Sequence, residues 1–211
     1  MYNNFLRQLQ TWKRPYISGT DLCHLLDKSA DSRYSIVKRA VQGEYLMQIR
    51  RDLYLIKGHF KQDHIDSFEI ATILYGPSYI SFESALSYHG WIPEAVRTTT
   101  CASIKRGKEF ETPIGRFSYE RIPIEVFSFG IKQVPKENVV LWIASPWKAI
   151  ADMIYARKRS WKTIEDLSED LRIEPEHLQM SDLELLAELA KNYPSLRVRK
   201  VLISLQKGLK Q

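Results

Sequence analysis

The sequence predicts an α+β protein in two parts, and three observations carry that prediction. Helical periodicity recurs three times in the first 58 residues and gives way to two short strand-like runs around a pair of arginines. Between about residues 95 and 131 the texture turns β-rich, with Pro and Gly between the runs. From Ser145-Pro146 onward helical periodicity returns and persists.

Taken in order, Phe5, Leu6, Leu9 and Trp12 predict an amphipathic helix over 3–13, ended before Pro15. Tyr16-Ile17-Ser18-Gly19 reads as a turn. A second short helix carries Leu22, Leu25 and Leu26, with Ser18 or Thr20 as its cap. After the polar turn 27–31, Asp31 or Ser32 caps a third helix that runs to Gln42, and Gly43 stops it. Residues 44–49 and 52–56 form a small hairpin around Arg50-Arg51, and Gly58 closes the unit. Three helices followed by a basic hairpin are the layout of a winged helix-turn-helix, placed at 1–58.

The third helix has two chemical faces. At about 100° per residue, Ile36, Val37, Ala40 and Val41 gather on one side, and Tyr34, Ser35, Lys38, Arg39 and Gln42 on the other. The second set combines cations, hydrogen-bonding groups and a tyrosine, the means to touch phosphates and base edges in a major groove. Arg33 lies near the rim, and Arg50 and Arg51 at the hairpin tip, where a wing meets the flanking backbone. These eight residues are the expected DNA contacts.

The remainder, 59–211, reads as a mixed α/β domain ending in helices. A helix over 67–75 is broken by Gly76-Pro77. Tyr79-Ile80 leads into Ser81, the expected cap of a helix over 82–89 that ends at Gly90. Val96 with 98–101, then 115–120, 124–129 and 139–144 are the expected strands. Ser145-Pro146 starts a helix, cap then proline, which carries Ile150, Met153, Ile154 and Tyr155. Two or three helices follow, one opening on Ser181-Asp182-Leu183-Glu184 with capping-box spacing, and Tyr193-Pro194 separates the last two.

The charge is unevenly placed. The 211 residues carry 31 Lys+Arg and 25 Asp+Glu, net +6, with 44% hydrophobic residues, the composition of a folded chain. Residues 1–58 hold ten bases and five acids, net +5, so most of the excess precedes residue 59. Nine acids fall between Glu165 and Glu188 against one base, and five bases lie between Arg197 and Gln211 with no acid. That last basic helix, 197–210, is a further source of phosphate contacts. The first fifteen residues lack the apolar stretch of a secretory signal, and the longest apolar run, 139–144, is too short to span a bilayer. With two distant cysteines, Cys23 and Cys101, no disulfide framework is expected and the cytoplasm is the expected location.

Motifs for chemistry are missing. His59 and His64 would stand about 140° apart on a helix, not on one metal-binding face, and there is no H-E-x-x-H or cysteine cluster. Neither metal nor cofactor is expected. Arg106-Gly107-Lys108 lacks the first glycine of a phosphate loop, where Ala102 stands. None of the 16 lysines has Asp or Glu two residues before it, which excludes a common nuclease arrangement, and the paired aspartates of nucleotidyltransferases are missing. The chain is therefore not expected to be an enzyme. The alternatives are a nucleic-acid-acting enzyme with a winged-helix targeting module and a plain protein-interaction module.

Three stretches carry a family resemblance: Gly43-Glu44-Tyr45-Leu46-Met47-Gln48-Ile49-Arg50-Arg51-Asp52-Leu53-Tyr54, Tyr79-Ile80-Ser81-Phe82-Glu83-Ser84-Ala85-Leu86-Ser87-Tyr88-His89-Gly90, and Ser145-Pro146-Trp147-Lys148-Ala149-Ile150-Ala151-Asp152. In order and wording the chain resembles the AbiE-type antitoxins (the AbiEi family), regulators of bacterial abortive-infection, or type IV toxin–antitoxin, systems. The resemblance implies a winged helix that binds inverted repeats in its own promoter and represses the operon. It also implies a C-terminal domain that counters a nucleotidyltransferase-like toxin, in many members without a stable complex. Ser81, Ser84, His89, Lys148 and Asp152 are the motif residues it marks in that domain. Two positions depart from the pattern: Asp52 stands where the family more usually has glycine at the wing tip, and Trp147 replaces the glutamate of Ser-Pro-Glu-Lys. Asp tolerates a left-handed backbone better than most residues, yet it sets a negative charge beside Arg50 and Arg51. Architecture alone also accounts for the motif residues, since Ser81 can cap a helix and Lys148 and Asp152 can pair across one turn.

Overall fold

Three N-terminal helices, α1 (Tyr2–Gln10), α2 (Gly19–Leu25) and α3 (Ala30–Gln42), bury their apolar stripes against a three-stranded antiparallel sheet, β1 (Tyr16–Ser18), β2 (Leu46–Arg50) and β3 (Leu53–Ile56), in the order β1-β3-β2. The computed structural model describes residues 2–59, 65–93, 96–136 and 140–209. The expectations for His64, Ala95, Val139 and Lys210, for the His59 side chain and for the boundary stretch 60–64 lie outside the described residues.

Phe5, Leu9, Leu22, Ile36, Val37 and Ala40 meet Ile17, Leu46 and Ile56 in the first apolar core. Residues 16–18, expected as a turn, form a strand instead. Ile17 pairs with Tyr54 and is fully buried, so a partner far along the chain organises a run too short to show its own alternation. Ser18 caps α2 with a complete capping box, accepting from the Asp21 N–H while the Asp21 carboxylate accepts from the Ser18 backbone N–H. α3 starts earlier than expected: Ser29, not Asp31 or Ser32, accepts from the Ser32 N–H.

The three-stranded sheet is buried on both faces. Leu46, Ile17 and Ile56 face the helices, whereas Ile49, Leu53 and Leu55 join a second, larger core with the rest of the chain. Alternation along the strands sends successive side chains to opposite sides, so one short sheet serves two cores.

The larger part is mixed α and β. Its helices are α4 (Ser67–Leu74), α5 (Phe82–Tyr88), α6 (Pro146–Ala156), α7 (Ile164–Leu171), α8 (Pro175–Gln179), α9 (Leu183–Asn192) and α10 (Leu196–Gly208). A six-stranded sheet runs β6 (Lys108–Thr112), β7 (Gly115–Arg121), β5 (Thr98–Ser103), β4 (Ser78–Ile80), β9 (Val140–Ala144), β8 (Ile131–Pro135). The pairs β4–β9 and β5–β7 are parallel and the others antiparallel. The α+β class thus holds. The expected strand over 124–129 is not one: Pro123 leads into a single tight turn at Ile124–Val126, with Val126 buried and Ile124 67% exposed. β6 and β8 escaped the sequence reading because they are the sheet's edges, where Lys-Glu-Phe-Glu-Thr and Ile-Lys-Gln-Val-Pro trade apolar pattern for charge and proline. α6 is buried from Trp147 to Ile154, and α10 closes the core with Val198, Val201, Leu202 and Leu205. Among the described residues no helix is long and apolar enough to cross a membrane.

Candidate nucleic-acid interface and a buried polar cluster

The two faces of α3 are those its sequence predicts. Ile36, Val37 and Ala40 are buried, Val41 is half-buried, and Tyr34, Ser35, Lys38, Arg39 and Gln42 are exposed, Tyr34 to 68%. The exposed set divides. Tyr34, Lys38 and Gln42, with Arg33, line a cleft of about 410 Å³ together with Gln48, Asp52 and Tyr54 of the hairpin and Leu22 and Cys23 of α2. Ser35 and Arg39 stand outside the cleft toward α1, and the Arg39 guanidinium lies 4.3 Å over the Tyr2 ring. Arg33 is half-buried and donates to the Lys28 carbonyl, which ties it to the turn before α3.

At the hairpin tip Arg51 is almost fully exposed and lies 3.6 Å from the Asp52 carboxylate. Asp52 adopts φ 58°, the left-handed backbone of a glycine position, and its carbonyl accepts from the Gly19 N–H at 2.8 Å. An added Cβ at Gly19 would come within 2.9 Å of the Asp52 Cβ, so glycine at 19 lets the tip close on the start of α2. Arg50, at the end of β2, is exposed too. Tyr34, Ser35, Lys38, Gln42, Arg50 and Arg51 are thus exposed and open to a ligand, whereas Arg33 is half-buried and Arg39 lies over the Tyr2 ring.

Of the five motif residues of the larger part, Ser81, Ser84, Lys148 and Asp152 are buried and His89 is half-buried. Asp152, on α6, is fully buried; its Oδ2 accepts from the Tyr79 hydroxyl and the Ser81 Oγ, each at 2.8 Å, and its Oδ1 from Lys148 Nζ at 2.5 Å. Lys148 is also fully buried, its ammonium 5.3 Å and 5.9 Å from the ring centres of Tyr79 and Tyr193. Burial pulls the Lys148 pKa down, and the adjacent carboxylate opposes that shift. Burial, reinforced by Asp152, holds the Tyr79 phenol well above its ordinary value. The expected turn-to-turn pair thus exists, but as a sealed ion pair governed by desolvation and not as a surface contact.

Ser81 is the N-cap residue of α5, as expected, but its side chain makes no capping bond, because its hydroxyl donates to Asp152. Ser145 likewise gives its hydroxyl to the Gly130 carbonyl at 2.8 Å rather than capping α6, and α9 is capped by Asp182, not by a Ser181–Glu184 box. Ser84 and Thr100 bond reciprocally, Ser84 N–H to Thr100 Oγ1 at 3.0 Å and Thr100 N–H to Ser84 Oγ at 2.8 Å. His89 Nε2 lies 2.9 Å from the Ala144 carbonyl, and burial lowers its pKa.

Sequence reasoning missed Tyr79 and Tyr193 as members of this cluster, and Gln48, Tyr54 and Cys23 as walls of the cleft. Each is brought in by a contact between distant segments, which local periodicity does not register. Among the described residues no three His, Cys, Asp or Glu side chains come together as metal ligands would. No protein-family model and no curated protein matches the chain.

Proposed function

We propose that the chain is a cytoplasmic DNA-binding autorepressor and antitoxin of a type IV toxin–antitoxin system, with residues 1–58 acting as a winged helix-turn-helix. The observation that carries the DNA reading is the exposed face of α3, where Tyr34, Ser35, Lys38, Arg39 and Gln42 stand over a buried apolar face, with Arg51 on the neighbouring hairpin tip. Exposed cations give affinity through phosphate neutralisation, and Gln42 and Lys38 have the donors to read purine edges.

The antitoxin part rests on the family resemblance. Ser81, Lys148 and Asp152 are sealed in the core, and Ser84 and His89 are tied to backbone groups. Countering a nucleotidyltransferase-like toxin would then fall to other, exposed residues, with these five holding that surface in shape. The partner DNA is the protein's own promoter with its inverted repeats. The test is a titration of a fragment taken just upstream of the coding sequence against an unrelated fragment of equal length. Tighter binding to the upstream fragment is expected; equal affinity for both would overturn the autorepressor reading.

A further inference from the structure

The turn between β5 and β6 gathers three cations. Residues 104–107 join the two strands and Lys108 opens β6, and Lys105, Arg106 and Lys108 are exposed. Several ties from distant segments hold the turn in one shape. Ser103 Oγ accepts from the Lys105 N–H at 3.2 Å and donates to the Pro77 carbonyl at 2.8 Å, while the Tyr75 hydroxyl donates to the Arg106 carbonyl at 3.0 Å. A Cβ added at Gly107 would come within 3.2 Å of the Tyr119 carbonyl, so glycine lets the turn lie close on β7.

Two of the cations stand over one ring. Lys105 Nζ lies 5.4 Å from the centre of Tyr75 and donates to the Gly76 carbonyl, and Lys108 Nζ lies 6.0 Å from Tyr75 and 4.9 Å from Phe110. Tyr75, Phe110 and Tyr119 pack with their ring centres between 5.1 and 5.8 Å apart, a platform on which both ammoniums rest. Among the described residues no carboxylate is within ion-pair distance of Lys105, Arg106 or Lys108. Like charges gathered in this way repel one another, and an anion laid across them removes that cost.

Strand register keeps the neighbouring acids off this side of the sheet. Lys108 stands opposite Tyr119 and Phe110 opposite Phe117, on the Tyr75 side, whereas Glu109, opposite Ser118, and Glu111, opposite Arg116, point the other way. Glu120 shares that other side and pairs with Arg157 at 2.7 Å. The strands carry both signs, but the edge beside Tyr75 is basic. It also shares a core with the N-terminal hairpin: Ile49 and Leu53, on either side of the Arg50-Arg51-Asp52 tip, are buried in the same cluster as Phe117 and Tyr119. Burial raises the Tyr119 pKa, and the charge that opposes the rise is Arg50.

We propose that the β5–β6 turn makes a second contact with DNA, in which Lys105, Arg106 and Lys108 meet phosphates of the duplex beyond the hairpin tip. This rests on the DNA reading above and extends the contact surface into the larger part. A turn that offers only lysine and arginine adds affinity and fixes register without reading bases. The test is the salt dependence of binding to the upstream fragment for the parent and three double variants. Lys105→Ala/Lys108→Ala is expected to bind more weakly, with a slope of log K against log salt shallower by about 1.8, about 0.9 for each contact removed. Lys105→Arg/Lys108→Arg, which keeps both charges, is expected to retain the parent's slope. Lys162→Ala/Lys191→Ala, the same loss of charge at exposed positions elsewhere in the larger part, is expected to leave slope and affinity unchanged. A parental slope in Lys105→Ala/Lys108→Ala, while Lys38→Ala/Arg39→Ala lowers it, would overturn the second contact and leave the α3 reading standing. Equal losses in Lys162→Ala/Lys191→Ala would overturn it as an effect of net charge alone, and a parent that does not bind DNA would overturn both.

Discussion

Replacing Asp152 by asparagine tests the buried cluster with almost no change in shape. The carboxylate now serves one ammonium and two hydroxyls, all in the fully buried site. Asparagine removes the anion paired with Lys148, and its amide turns one acceptor into a donor that faces either the ammonium or the two hydroxyls. Breaking a buried pair from one side costs about 3–5 kcal/mol. For a chain of this size each kcal/mol lowers Tm by about 2–4 °C, so a loss near 4 kcal/mol gives about 8–16 °C. Lys148→Met is expected to cost at least about 1 kcal/mol less, since the carboxylate it strands keeps two hydroxyl donors, while the ammonium stranded by Asp152→Asn loses its counter-charge and the amide can accept from it only by turning its NH2 toward the two hydroxyls. The double variant should cost less than the sum of the single ones, because each single change leaves a charge that the other removes. Urea melts at one pH measure all three. Single variants within about 1 kcal/mol of the parent, or Lys148→Met the more damaging of the two, would refute the reasoning.

Gly130→Ala should destabilise by about 2 kcal/mol in the same melts: Gly130 has φ 69°, where an L residue pays about 1–2 kcal/mol, and the new methyl would lie 3.1 Å from the Lys148 Cβ. An unchanged midpoint would contradict the close approach. Removing the chain after Pro194 should unfold the larger part, as judged by circular dichroism, because Val198, Val201, Leu202 and Leu205 are buried and each contributes about 1.5–3 kcal/mol. A folded truncated chain would show α10 to be dispensable. Stability should fall as pH rises above about 9, since burial raises the pKa values of Cys101, Tyr79, Tyr119 and Tyr193. The folded state then keeps protons that the unfolded thiol and phenols release near pH 8.5 and 10, so this stability is complete below about pH 8.5 and is lost above it. Lys148 works in the opposite sense, its lowered pKa becoming less unfavourable as pH rises, but it is one group against four. A flat profile of denaturation midpoint between pH 7 and 11 would contradict these assignments.

What the sequence reveals here follows from which interactions are local. The faces of α3, its stop at Gly43, the hairpin around Arg50-Arg51 and the left-handed Asp52 are legible because helix period, cap chemistry and turn geometry act within a few residues. β1 is not, because its three residues become a strand only by pairing with β3. Nor are β6 and β8, whose edge positions replace apolar alternation with charge. Ser81 and Ser145 precede helices as their sequence context predicts, yet their hydroxyls serve Asp152 and Gly130 instead, since a tertiary partner outcompetes the local N–H groups. The same holds for Lys148 and Asp152. Their spacing shows that they can meet, but whether they meet in water or in the core depends on Tyr79, Ser81 and Tyr193, which arrive from elsewhere in the chain.

The DNA-binding claim is tested most directly by the salt dependence of binding to the upstream fragment, compared between the parent chain and Lys38→Ala/Arg39→Ala. If both side chains meet phosphates, the variant binds more weakly and its slope of log K against log salt is shallower by about 1.8, about 0.9 for each contact removed. Unchanged affinity together with an unchanged slope would contradict the placement of α3 on DNA.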